Sequence, residues 1–296
     1  MIKTLAFALA ISASSAASAA PIKAVASITI IADMVHEVGG DLVGVQSIVG
    51  PNGDAHSYEA KPRDSKTLNE AEIVFINGLG LDPWIERLTT SSGFKGPLAV
   101  ATKGIKTHQF DEDGKQVTDP HAWQDLSNGQ IYVTNIAKAL CEVDAADCPT
   151  FNANASAYNA KLAALDAELK TKFSAVPEPN RQVVTTHDAF GYFSIAYGVR
   201  FLAPEGFATE AEPSAAAIAK LVRQIKHDNI KALFFENMSD NRVIEAIAAE
   251  TGVHAGPPLY ADALSKPDEP GATYLQMFKY NSQTLLAAMT ANAAGN

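Results

Sequence analysis

From Ile22 onward the chain alternates short runs of apolar, often β-branched residues with longer stretches in which apolar positions recur every three or four residues. KAVASI is followed by the amphipathic IIADMVHEV, VGVQSIV by RDSKTLNEA, IVFING by DPWIERL, and LAVAT by GQIYVTNIAKALCEV. After residue 180 the alternation starts over: QVVTTH then AFGYFSIAYG, VRFLAP then SAAAIAKLVRQIKHD, IKALFFE then NRVIEAIAAETG, and HAGPPLY before a long terminal YLQMFKYNSQTLLAAM. Alternating strand and helix signals predict parallel sheets with helices on their faces. Two such sets predict an α/β protein of two lobes, each a small, mostly parallel sheet flanked by helices.

The segment between them has another pattern. From about Phe151 to Ser174, Tyr158, Leu162, Leu165, Leu169 and Phe173 follow one another at steps of four, three, four and four, one apolar stripe at helical period. Pro-Glu-Pro at 177–179 stops it. Some 23 residues of helix run roughly 35 Å at 1.5 Å per residue, enough to lie along both lobes as a rigid connector that limits hinge bending. The same stripe also fits one more packing helix of a single large domain. The expected organisation is a leader at 1–20, a first lobe at 21–150, a connecting helix at 151–176 and a second lobe at 177–296.

The leader, MIKTLAFALAISASSAASAA, has Lys3, an apolar run from Leu5 to Ile11 and small residues up to Ala20, the pattern of a cleaved secretory signal. The run is shorter than a membrane span, no later stretch reaches about 18 apolar residues, and no cysteine stands at the junction to take a lipid. These features predict a mature chain free in the periplasm and not lipidated. The formal charge of −10, with no basic cluster, argues against nucleic acid or an anionic membrane as partner. Cys141 and Cys148 enclose six residues, and an exported context favours their pairing as a disulfide over two free thiols. By themselves they fall short of the four ligands of a closed zinc site.

Ligand groups in parallel α/β sheets gather on loops beyond the carboxyl ends of strands. Three histidines and one carboxylate meet that condition: His56 in GPNGDAHSYEAKP, His121 in TDPHAWQD, His187 at the end of QVVTTH, and Asp262 in PPLYADALS. Two come from each lobe, and together they would make a tetrahedral, nitrogen-rich zinc shell. Their separations of 65, 66 and 75 positions match no compact metal motif, so four unrelated loop residues are the competing reading. His36 falls in a helix facing solvent, His227 near a helix C-terminus where the dipole favours it, and His254 at a strand edge. His108 lies in the polar segment KTHQFDEDGKQVTDPH.

The sequence resembles the metal-specific periplasmic solute-binding proteins that deliver zinc or manganese to ABC importers. The likeness is carried, in the family's order, by GPNGDAHSYEAKPRD, NGLGLDPWIERL, DPHAWQD, THDAFGYFSIAYG, GFATEAEPSAAAIAKLVRQIK, LFFENM, LYADALS and PGATYLQMFKYN. The resemblance implies two α/β lobes joined by a long helix with the metal between them, and ligands at His56, His121, His187 and Asp262. Many zinc members carry a long histidine-rich insertion before the DPH motif, whereas residues 107–120 here supply only His108 beside Asp111, Glu112, Asp113 and Asp119. Ala60 stands where members often have proline. Manganese-type relatives tend to have Glu at position 187, so His187 points to Zn²⁺ as the transported ion, with a manganese-binding member as the alternative.

On that basis the expected function is high-affinity capture of Zn²⁺ and delivery to a permease in the inner membrane, by a monomer with no catalytic role. A periplasmic metal donor protein is left open as a further partner. Segments 107–120 and 208–213 are the candidates for loops that close over the ion, and Asp262 is the candidate for an adjustable one- or two-oxygen ligand. Two rivals belong to other classes. A zinc hydrolase would keep an open water position and use Asp188 or Glu59 as base. A binder of organic solutes would use Trp84 and Trp123, whose ordinary role is packing.

Overall fold

The computed structural model describes residues 20–112, 115–204, 206, 209 and 213–294; the expected leader lies outside the described residues apart from Ala20. The first half builds one parallel sheet from β1 (Ile22–Ala26), β2 (Val43–Ser47), β3 (Ile73–Ile76) and β4 (Leu98–Val100), in the order β2-β1-β3-β4. Its crossover helices are α1 (Thr29–Gly39), α2 (Pro62–Asn69) and α3 (Pro83–Ser92). All four residues of β3 are buried, as a strand covered on both faces requires. In α1 the buried Ile30, Ile31, Met34, Val35 and Val38 form one stripe facing the sheet.

The segment expected to be a polar loop folds instead into an antiparallel hairpin, β5 (Gln109–Glu112) with β6 (Lys115–Thr118). Next come α4 (Leu126–Val143) and α5 (Cys148–Ser174). Asp125 caps α4 by accepting from Ser127 N at 2.8 Å. The stripe expected for the long helix is buried, with Phe151 and Ala155 added. The helix starts three residues earlier than expected because Pro149, in its first turn, needs no intrahelical donor there. Its 27 residues span about 40 Å at 1.5 Å per residue. A Cys141–Cys148 disulfide staples the end of α4 to the start of α5.

The second half contains β7 (Gln182–Val184), α6 (Gly191–Tyr197), β8 (Arg200–Leu202), α7 (Ala215–His227), α8 (Arg242–Thr251) and α9 (Tyr274–Ala294). β7 and β8 pair in parallel, and single parallel bridges join Val184 to Leu233, Leu233 to Ala255 and Glu236 to Leu259. The strand order of the first sheet is thus repeated, but its third and fourth members are reduced to bridges. Gly256 contributes to this: its backbone lies so close to Phe234 that a Cβ there would sit 2.3 Å from the ring. Pro257 and Pro258, following directly, bring no amide donors.

Two parallel α/β lobes result, yet the apolar interior is not divided between them. One cluster runs from the first sheet through α4 and α5 into α6, Leu259–Leu264 and α9. A second, smaller one lies among β7, α7, α8, Leu233 and Val253. No helix among the described residues is long and apolar enough to cross a membrane.

Candidate metal centre

Each candidate ligand sits past the carboxyl end of a strand or bridge. His56 is on the loop after β2, where Asp54 Oδ1 accepts its backbone N–H at 2.8 Å and Trp84 Nε1 donates to Ala55 O at 3.0 Å. His121 opens the short 3₁₀ turn Ala122–Gln124, and Asn77, at the end of β3, donates from Nδ2 to Pro120 O at 2.9 Å. His187 follows β7, and Asp262 follows the bridge at Leu259. Trp123 Nε1 and Gln124 Nε2 both donate to Ala261 O at 2.9 Å, tying the His121 turn to the Asp262 segment across the lobes.

The structure brings all four together, with one ligand atom from each within 4.8 Å of the others. His56 Nε2 is 3.1 Å from His121 Nε2 and 3.3 Å from Asp262 Oδ2; His187 Nε2 is 3.2 Å from Asp262 Oδ2, and His121 Nε2 is 3.7 Å from Asp262 Oδ1. His121, His187 and Asp262 are fully buried, and the His56 side chain is 4% exposed. His187 Nε2 and both Asp262 oxygens have no hydrogen-bond partner. Buried polar atoms are ordinarily satisfied, so donors converging without partners are what a bound cation would complete.

Behind two of the imidazoles stand carboxylates. Asp119 Oδ1 accepts from His121 N at 2.9 Å and lies 2.8 Å from His121 Nδ1. Glu236 Oε1 accepts from Thr186 N (3.1 Å) and His187 N (3.2 Å), while Oε2 is hydrogen-bonded to His187 Nδ1. A proton held on Nδ1 leaves the Nε2 lone pair aimed at the cluster, and the carboxylate makes that nitrogen a stronger donor. Burial disfavours the charged form of His187, but the fields of Glu236 and Asp262 prevail and raise its pKa well above the ordinary imidazole value. For Asp262, burial pushes upward and the fields of His187 and His121 hold the carboxyl well below the usual range. The carboxylates around the cluster thus favour positive charge there.

Asp119 and Glu236 carry roles that strand-end placement alone misses. Asp119 is signalled only by its place in Asp-Pro-His, two residues before the imidazole. Glu236, in LFFENM, gives no local signal. His108 lies outside the cluster: its ring packs edge-on against Phe110 and Tyr192, and its backbone N–H donates to Tyr192 Oη at 3.1 Å. The hairpin thereby buttresses the Asp119 segment, since Asp119 N donates to His108 O at 2.9 Å. Gly191 lets α6 come close there; a Cβ would meet Asp119 Oδ2 at 2.6 Å. Of the other candidate loop, 208–213, only Thr209 and Pro213 are among the described residues. Asp188, offered as a hydrolase base, is half-buried on the loop before α6, and Glu59 is exposed. Trp84 and Trp123 are buried in the core.

Two α/β lobes with a buried, cation-sized cluster of donors between them define a class, the solute-binding proteins that take up a metal ion. The chain belongs to the ZnuA family, described as zinc-uptake complex component A, periplasmic, whose model matches residues 24–288. It is 36% identical over 270 residues to the iron ABC transporter substrate-binding lipoprotein MtsA of Streptococcus pyogenes serotype M1, covering 88% of this chain and 86% of that protein. It is 33% identical over 273 residues to the manganese ABC transporter substrate-binding lipoprotein of Streptococcus gordonii, covering 89% and 87%. Among solved structures it is similar to the periplasmic zinc-binding protein TroA of Treponema pallidum, with a TM-score of 0.86, 28% identity, and coverage of 91% of this chain and 99% of that one. The chain is the substrate-binding component of a metal ABC importer, with a permease and an ATPase as partners, and it is not an enzyme.

One expectation is overturned. The leader and the missing junction cysteine predict an unlipidated protein free in the periplasm, but similar relatives are named lipoproteins. Location therefore does not follow from the leader in the way the sequence suggests.

Proposed function

We propose that His56, His121, His187 and Asp262 ligate a single Zn²⁺ as cargo, and that the chain captures it with high affinity and delivers it to the permease. The carrying observation is the donor set, three imidazole nitrogens and one carboxylate whose closest pairs lie 3.1–3.7 Å apart. Four ligands arranged tetrahedrally at zinc distances would stand about 3.4 Å from one another. Imidazole suits zinc, whereas manganese prefers oxygen donors. The mechanical frame of this reading is a first lobe at 21–150, a connecting helix at 151–176 and a second lobe at 177–296, supported by the two parallel sheets and by α5.

Imidazoles must be neutral to bind metal, so protons compete with the cation. Because Glu236 and Asp262 raise the pKa of His187, that competition begins at a higher pH than for a free imidazole, and affinity falls as pH drops. Asp262, with both oxygens unpartnered, is free to bind through one or two of them.

A second reading, manganese or iron as cargo on the same four residues, is favoured by the names of relatives at 33–36% identity. Copper and nickel would also bind such a site strongly in vitro. The deciding experiment is therefore metal analysis of protein purified from its native compartment without added metal. Zinc near one per chain is expected. Predominant manganese or iron would overturn zinc while leaving the site.

A further inference from the structure

One amide joins the His187 side of the cluster to the Asp262 side. Asn237 directly follows Glu236, the carboxylate behind His187. Its Oδ1 accepts from Ala261 N at 3.3 Å and its Nδ2 donates to Ala263 O at 3.1 Å, so the side chain grips the backbone on both sides of Asp262. The same Nδ2 donates to Asn52 Oδ1 at 2.7 Å, on the loop that leads to His56. Asn52 is itself stitched to the other lobe: its backbone N donates to Leu264 O at 3.0 Å and its Nδ2 to Glu269 Oε2 at 3.2 Å. It holds φ +56°, a left-handed conformation that Asn adopts more readily than most residues.

The segments that carry His56, Asp262 and Glu236, the carboxylate behind His187, thus meet at a pair of side-chain amides. We propose that Asn237, acting through Asn52, is a positioning residue that fixes Asp262 against His187 and locks the His56 loop onto both, setting how long the cation stays rather than how fast it enters. This rests on the reading of the four-residue cluster as a cation site. Every bond the amide pair makes belongs to the assembled arrangement of the three loops. Its loss therefore frees them to separate and speeds escape, while arrival stays governed by diffusion and by the charge of the donors. Both asparagines are half-buried along a surface cleft and lie outside both apolar clusters, so truncating them opens no cavity in the core.

The test compares the full chain with Asn237→Ala, Asn52→Ala and the double variant, in three measurements. These are the release of Zn²⁺ into excess chelator, the rate of Zn²⁺ uptake, and the visible d–d absorption of the Co²⁺-loaded protein. Outer groups that orient ligands typically alter affinity 10- to 100-fold, so Asn237→Ala should release zinc at least ~10-fold faster and shift the Co²⁺ band. Uptake should be unchanged, Asn52→Ala should show a smaller acceleration, and the double variant should release no faster than Asn237→Ala alone. The paired change Asn52→Asp with Glu269→Gln keeps the acceptor for Asn237 and restores the second bond with donor and acceptor exchanged; it should return release to the wild-type rate. Unaltered release and an unaltered Co²⁺ band in Asn237→Ala, effects that multiply in the double variant, or no recovery in the paired change would each overturn the proposal. A wild-type chain that takes up neither Zn²⁺ nor Co²⁺ would instead bring down the cation-site reading, and this inference with it.

Discussion

His121 and His187 are held by the same device, assembled over very different lengths of chain. Asp119 reaches the His121 ring from two residues away and is part of the same short turn. Glu236 reaches His187 from 49 residues away, across a bridge between β7 and a segment that never becomes a regular strand. Both halves of the site touch the large apolar cluster, the second through Ala189, Phe234 and Ala261, but only the second also borders the small one, through Val184 and Leu233. A local device survives modest loosening of its lobe, whereas one spanning a lightly paired sheet depends on that sheet. The second half should therefore be the more fragile of the two.

The largest effect expected is from removing a donor. His187→Ala and His121→Ala should each weaken zinc binding by more than about 100-fold, beyond the range typical of outer groups, as read by competition with a chelator of known affinity. Binding that survives either change nearly intact would contradict the ligand set. Next come the two carboxylates: Glu236→Gln and Asp119→Asn should each cost about 10- to 100-fold in affinity, with Glu236→Gln the more damaging because it also loosens two backbone amides. Glu236→Gln should further lower the pH at which the variant's own affinity begins to fall below its plateau, since less negative charge is left to raise the pKa of His187. A greater loss from Asp119→Asn, or an affinity plateau that ends at higher pH in Glu236→Gln, would reverse the comparison of the two halves.

Smaller effects test the frame. Replacing both cysteines of the Cys141–Cys148 disulfide by serine should cost about 2–3 kcal/mol of stability for so short a loop. It should lower the unfolding temperature while leaving zinc affinity alone, because the staple joins α4 to α5 far along the chain from any ligand loop. The smallest concerns Asp33, on α1 facing the start of α9, whose carboxyl is pushed up to about 6, chiefly by burial. The folded state then holds a proton that the unfolded chain gives up near pH 4, so stability falls as pH rises from about 4 to about 6 and is level above. Asp33→Asn keeps an acceptor for Tyr274 N and should abolish that decline, as read by unfolding temperatures across the interval.

Much of the fold, and the four side chains that the structure brings together, are legible in the amino-acid order itself. The stripe from Tyr158 to Phe173 has a single helical solution, and His56, His187 and Asp262 stand out because each follows an apolar, strand-like run, while His121 is marked by its Asp-Pro-His loop. What escapes is of two kinds. The hairpin at 109–118 is polar on both strands and reads as loop, although Asp-Gly at 113–114 is a hairpin-turn signature. Glu236, Asn237 and Asn52 escape for another reason: their partners lie 49, 26 and 217 positions away, in Glu236–His187, Asn237–Ala263 and Asn52–Glu269. No local periodicity encodes such pairings; only the closed fold brings them within reach. The third and fourth strands of the second lobe are visible as apolar runs but not as isolated bridges, which depend on the contact of Gly256 with Phe234 and on the prolines after it.

The central claim, that three imidazoles and one carboxylate from both lobes converge on a single divalent ion, is tested most directly by X-ray absorption at the zinc edge on protein loaded to saturation. One zinc per chain in a four-coordinate shell of nitrogen and oxygen at about 2.0–2.1 Å is predicted, with the outer-shell scattering of three imidazole rings that falls to two in His187→Ala. A shell with fewer than three imidazoles, a sulfur donor, or a spectrum untouched by His187→Ala would contradict it.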